Sequence, residues 1–213
     1  MTENNFNSLL QKLDEFIRKF YVNQIIRGVL LFLSLAFALF ITLVVLEYFG
    51  EFNSSVRTAL FFGFASLMLA VFGFLIAIPL LKIASIGKRI SRQQASKIIG
   101  SHFSDVSDKL SNVLQLQNLA ENNSSDLLIA SINQKIAQLK PVPFAAAVNF
   151  KENKKYLKFL IIPLLLIIGL AAFEPKVIKD STQRIISYNQ EFVKQAPYEI
   201  TVENDNLNAF KNE

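Results

Sequence analysis

Thr58-Ala-Leu-Phe-Phe-Gly-Phe-Ala-Ser-Leu-Met-Leu-Ala-Val-Phe-Gly-Phe-Leu-Ile-Ala-Ile-Pro-Leu-Leu81 fills about 24 positions between Arg57 and Lys82 without one charged side chain. A helix rises about 1.5 Å per residue, so roughly 20 apolar residues cross the hydrocarbon core of a bilayer. The run therefore predicts a membrane-spanning helix. Toward the N-terminus a second uncharged run covers Gly28 to Leu46, about 19 residues between Arg27 and Glu47. Its only polar side chains, Ser34 and Thr42, can bond carbonyls of their own helix. The connection from Glu47 to Arg57 is short, which makes residues 28–81 a helical hairpin. Tyr48 and Phe49 then sit where an aromatic belt would lie. Toward the C-terminus a third run, Phe159 to Phe173, has about 15 residues and is short for a crossing. Lys151, Lys154, Lys155 and Lys158 precede it, and lysine stems can extend the apolar length while their ammonium groups reach the headgroups. With Tyr156 and Leu157 added, residues 157–173 read as a third span. Pro163 falls either in its first turns or at a kink.

The quoted stretch carries a finer pattern. Ala59, Gly63, Ser66, Ala70, Gly73 and Ala77 are spaced 4, 3, 4, 3 and 4 apart. Small residues let helix backbones approach closely where lipid offers no hydrophobic drive, and the 3–4 alternation suits a left-handed crossing. The stripe is expected to be a packing face. Its partner is the first span, the third span or another subunit.

The polar segments read as helices too. In residues 1–27, Phe6, Leu9, Leu10, Leu13, Phe16, Ile17, Phe20 and Tyr21 recur at spacings of three and four, opposite most of the charges. This amphipathic helix either lies in the membrane interface or packs on the other polar helices. Residues 82–156 form a small helical subdomain. Ser91 with Gln94 fits a capping box, and Gly100 reads as a helix stop. The next helix offers Val106, Leu110, Val113, Leu114 and Leu119. A turn at Asn122 to Ser125 precedes a third helix with Leu127, Leu128, Ile132, Ile136 and Leu139, ended by Pro141 and Pro143. Three such helices bury little by themselves, so the subdomain is expected to lean on the N-terminal helix, the membrane surface or a partner. Residues 174–213 form a tail. It begins with a loose apolar face of Ile178, Ile185, Ile186 and Phe192, and ends in an alternating strand pattern at Tyr198 to Val202. A lone strand needs a partner or a larger β region. The expected fold is thus an all-α membrane protein, with three transmembrane helices, a small cytosolic helical subdomain and the start of a periplasmic β region.

Charge sets the expected orientation. Four basic residues precede the first span, one (Arg57) lies in the hairpin loop, twelve lie from Lys82 to Lys158, and five follow Glu174 beside seven acids. Basic residues mark cytoplasmic loops, which places the N-terminus and the subdomain inside and the hairpin tip and tail in the periplasm of a bacterial inner membrane. A polar helix precedes the first apolar run, which is not the layout of a cleaved signal peptide.

The chemistry is sparse. There is no cysteine, and His102 is the one histidine, which excludes disulfides, thiolate chemistry and multi-histidine metal sites. His102 reads as a loop residue at a helix start. Asp105 and Asp108 nearby read as helix N-terminal acids rather than a metal site. No phosphate loop, nucleophile elbow or zincin motif occurs, and no ionisable residue falls inside a span, where pumps and relays keep them. No catalytic residue, cofactor, metal or DNA partner is expected. Lys82, Lys88, Arg89, Arg92 and Lys97, with the lysines before the third span, form a basic rim. It suits anionic lipid headgroups, or an anionic cytosolic partner such as a ribosome.

Phe16-Ile-Arg-Lys-Phe-Tyr-Val-Asn-Gln24, Val45-Leu-Glu-Tyr-Phe-Gly50, Val106-Ser-Asp-Lys-Leu110, Leu114-Gln-Leu116, Ala130-Ser-Ile-Asn-Gln-Lys-Ile136 and Leu139-Lys-Pro-Val-Pro-Phe144 together resemble the N-terminal region of large Bacteroidota membrane proteins described as a domain of unknown function. The resemblance covers most of the chain, and no single stretch is a specific motif. It implies a membrane module followed by a long periplasmic region, and it brings no site residues. The expected role is a non-enzymatic membrane anchor and scaffold in an envelope or protein-export assembly. The alternatives are an accessory subunit of a transporter or channel, and the anchor of a periplasmic enzyme domain.

Overall fold

A computed structural model describes residues 2–120 and 126–192. Among these residues every regular element is helical. The expected turn at Asn122–Ser125 and the strand at Tyr198–Val202 lie outside the described residues.

Helix α1 is one continuous rod, Thr2–Gly50, about 70 Å long at the α-helical rise. The amphipathic segment and the first apolar run are therefore a single element. After a three-residue turn α2 runs Ser54–Phe72, capped by Asn53, whose Oδ1 accepts from the Val56 N–H at 3.0 Å. A π-helical turn, Gly73–Ala77, joins α2 to α3, Ile78–Ile83. Pro79 gives the reason for the turn. It has no N–H for the carbonyl of Leu75, four residues back, and its ring crowds that carbonyl. A π turn widens the helix there without ending it.

The polar helices are α4 (Arg92–His102), α5 (Ser104–Ala120) and α6 (Asp126–Leu139). The capping box forms as expected: the Ser91 hydroxyl accepts from Gln94 N–H, and the Gln94 side chain accepts from Ser91 N–H. Gly100 is not the stop. It lies within α4, buried, and a Cβ there would come 2.5 Å from the Ser107 side chain. The glycine lets α4 press onto α5, and His102 belongs to the last turn of α4 rather than to a loop. The Ser96 and Ser111 hydroxyls, 3.2 Å apart, meet across the same contact.

These helices share one core with the first half of α1. Leu9, Leu13, Phe16, Ile17 and Tyr21 pack with Ile99, Leu110, Val113, Ile132, Ile136, Leu139 and Phe144. Of the two roles open to the N-terminal amphipathic stretch, packing on the polar helices is the one observed. Each fully buried Leu or Phe contributes about 2 kcal/mol, so the α1 face supplies what three short helices lack. Two expected core positions point away instead: Leu119 and Leu127 are exposed, Leu127 at 84%.

Two 3-10 turns lead into α7, Lys154–Phe173, and then α8, Pro175–Ile186. Pro163 lies in the middle of α7, not in its first turns, and it is the buried residue of that helix. Three helical stretches are long and apolar enough to cross a membrane: Asn5–Gly50, Ser54–Ile83 and Phe144–Phe173. Among them α1 is the shared member. Both the α2–α3 rod and α7 pack on α1, and among the described residues α2 and α7 do not touch.

Candidate functional site

The packing face of α2 is the reverse of the small-residue stripe. Arg57 and Met68 are buried and Phe61 and Phe64 half-buried, whereas Ala59, Gly63, Ser66 and Ala70 are exposed; Gly73 and Ala77, in the π turn, are half-buried. A Cβ added at Gly63 or Gly73 would meet nothing within 4 Å. Among the described residues neither α1 nor α7 covers the exposed part of the stripe, Ala59 to Ala70. Among the apolar rods the glycine that brings two helices together is Gly28. It is buried in α1, and a Cβ there would come 2.2 Å from the carbonyl oxygen of Leu75. That carbonyl is the one deprived of its α-helical donor by Pro79. One local signal was present in the sequence: a glycine starting one apolar run and a proline ending the next.

Where Gly28 meets Leu75 the two rods leave a groove of about 320 Å³. Leu31, Phe74, Leu75, Ile78 and Pro79 form its apolar part, while Gln24, Arg27 and Lys82 line its polar end. Arg27 is the last charge before the first apolar run, and Lys82 is the first after the second. The antiparallel hairpin thus brings two cations that lie 55 positions apart to one level. The Arg27 guanidinium lies 5.1 Å from the Tyr156 ring, and the Lys82 ammonium 5.8 Å from the Tyr21 ring. Both are cation–π distances. Among the described residues no carboxylate lies within ion-pair distance of either.

The rest of the basic rim divides by use. Arg89 donates to the carbonyls of Lys82 and Ile83 and so caps the C-terminus of α3, satisfying groups that a helix end leaves open. Beside it, Ile90 N–H donates to the Tyr21 hydroxyl at 2.9 Å. Arg92 pairs with Asp14 at 3.8 Å. Lys88, Lys97, Lys151, Lys154, Lys155 and Lys158 are exposed. Lys155 and Lys158 lie over the neighbouring Tyr156 and Phe159 rings.

A second cluster sits at the far end of the hairpin, and sequence reasoning missed it. Glu47 and Arg57 are buried, at 1% and 2% exposure, with Oε1 and Nε 4.0 Å apart. The other Arg57 nitrogens donate to the Arg184 carbonyl at 3.3 Å and the Gln190 carbonyl at 2.7 Å. The Arg57 guanidinium also lies 4.8 Å from the Phe192 ring. Glu51 pairs with Arg184 at 3.8 Å, Ser54 donates to the Tyr188 carbonyl, and Tyr188 stacks on Phe61 at 4.7 Å. Residues 184–192 thus close over the hairpin tip. Val177 and Ser181 are the buried face of α8, and Ile186, expected on that face, is 64% exposed. The signal lay in the hairpin itself: an acid ending one run and a base starting the next must meet when the run folds back.

Among the described residues no group of three or more His, Cys, Asp or Glu side chains could hold a metal ion. Among the described residues the fold and these two clusters define an all-helical architecture with three helices of membrane-crossing length and composition, and a polar helical head built on the longest of them. Comparison with family models, curated proteins and solved structures gives no match.

Proposed function

We propose that this chain is a non-enzymatic membrane anchor and scaffold, one subunit of a larger envelope assembly such as a protein-export or envelope-biogenesis complex. The observation that carries the reading is the continuity of α1. One helix supplies both the core of the polar head and the shared member of the apolar helices. A head held in this way stands at a set height and angle to the membrane, which suits a platform more than a tethered domain. On the charge pattern the head is cytoplasmic, and α8 with the tail is periplasmic, in a bacterial inner membrane. The clamp of residues 184–192 on Arg57 then sets where the tail leaves the membrane. The exposed stripe on α2 and the exposed outer face of α7 favour a neighbouring membrane protein as partner. The basic head is the dock for any anionic cytosolic one.

Native co-purification tests this. The tagged chain is extracted in mild detergent and its companions are quantified. Stoichiometric envelope or export proteins support the scaffold. Recovery of the chain alone, or only with itself, overturns it.

A further inference from the structure

We propose that the groove between α1 and the π turn binds one anionic phospholipid, with its phosphate between Arg27 and Lys82 and an acyl chain along Leu31, Phe74 and Ile78. This rests on the membrane reading above. Three observations converge on it. First, the groove is two-toned in the direction a lipid requires. Cations lie at the end where the charged sequence begins, and the apolar walls run from there into the uncharged runs. Second, neither cation has a carboxylate partner among the described residues, so the mouth carries two positive charges that the chain does not neutralise there. Third, the spacing of the two rods at the groove is set by backbone. Gly28 rests on the Leu75 carbonyl, and the π turn widens the facing rod.

Charge and shape select the ligand. About 320 Å³ equals roughly ten waters, room for a phosphoglycerol group and the first methylenes. A free phosphate would use the two cations and leave the apolar walls bare. A zwitterionic lipid would bring its own cation to a mouth that already holds two. Basic side chains near a membrane surface each favour anionic lipid modestly. The groove adds position, so that one lipid is retained through purification where others exchange.

The test is native mass spectrometry of the full chain released from nanodiscs containing equal phosphatidylglycerol and phosphatidylcholine. The expected result is one phosphatidylglycerol retained per chain. Arg27→Gln with Lys82→Gln lowers its occupancy about tenfold. Lys88→Gln with Lys97→Gln removes the same charge elsewhere and leaves it unchanged. Ile78→Trp, which keeps the charge and fills the apolar part, also loses the lipid, and inorganic phosphate does not displace it. Equal losses from the two double variants would show a diffuse basic surface and overturn the proposal. So would equal retention of both lipids, or displacement by inorganic phosphate, which would make this an ion site. If the Arg27→Gln, Lys82→Gln chain does not fold, Arg27→Lys with Lys82→Arg must retain the lipid, and Ile78→Trp carries the decision. Carbonate resistance of the wild-type chain in native membranes tests the membrane reading separately.

Discussion

Gly28 has no side chain because the facing backbone leaves no room for one. A methyl at that position must push the Leu75 carbonyl away, and backbone of a long rod does not yield locally. Gly28→Ala is therefore expected to destabilise the hairpin by about 1–3 kcal/mol, the usual range for overpacking. Gly63→Ala, which meets open space, should stay within about 0.5 kcal/mol of wild type. Thermal unfolding in one detergent compares the two, and equal effects would refute the contact. The buried pair allows a second comparison. Arg57→Met leaves the Glu47 carboxylate buried without its cation and takes the donors away from the Arg184 and Gln190 carbonyls. Breaking such a pair costs about 3–5 kcal/mol, whereas replacing both members by apolar residues is often neutral. Glu47→Leu with Arg57→Met should recover much of the loss in the same melts, although the carbonyls of Arg184 and Gln190 still lack their donor.

At the scale of elements, α1 is the shared part. Ile25→Pro falls in its interior, between the head core and the first apolar run. It removes a backbone hydrogen bond and costs about 3 kcal/mol or more at that point. Hydrogen exchange should then rise through α1 around residues 21–29, and limited proteolysis should cut α1 there, while α4–α6 stay joined to the apolar helices on either side. Unchanged exchange and no new cleavage in α1 would argue against mechanical coupling through α1. The stripe on α2 makes the opposite kind of prediction. Gly63→Leu with Gly73→Leu should leave the melting of the isolated chain unchanged, because among the described residues nothing lies within 4 Å of a Cβ at either position. In native membranes it should reduce recovery of whatever packs there. A lowered melting point of the isolated chain would place the stripe inside the fold.

For the whole molecule, the central place of α1 matters most. Among the described residues α2 and α7 each pack on α1 and α8 and not on each other, so both leave apolar side chains exposed, and the polar mass lies at one end. The proposed orientation puts that mass in the cytoplasm. Alkaline phosphatase fused after Glu213 should then be active, and fused near Asn123 inactive, as read by colony assay and confirmed by immunoblot. The reverse pattern would invert the topology and move the basic head to the outside.

Run lengths and local hydrogen bonding were legible in the chain by itself. Three helices long and apolar enough to cross a membrane, the hairpin, the Ser91–Gln94 capping box, the Pro141 stop and the α1 apolar positions from Leu9 to Tyr21 follow from neighbours within a turn or two, and the structure keeps them. Tertiary structure alone decided which face of each apolar rod is covered. A helix that is apolar all round has no direction written in its composition, so Gly28 rather than Gly63 became the close contact. The same reason holds for Pro163 in α7 and Gly100 in α4: their meaning is set by what crosses them. Glu47 and Arg57 were readable as the ends of two runs, but their burial depends on α8 folding back over the hairpin tip. That contact joins positions more than 120 residues apart, beyond the reach of any periodicity along the sequence.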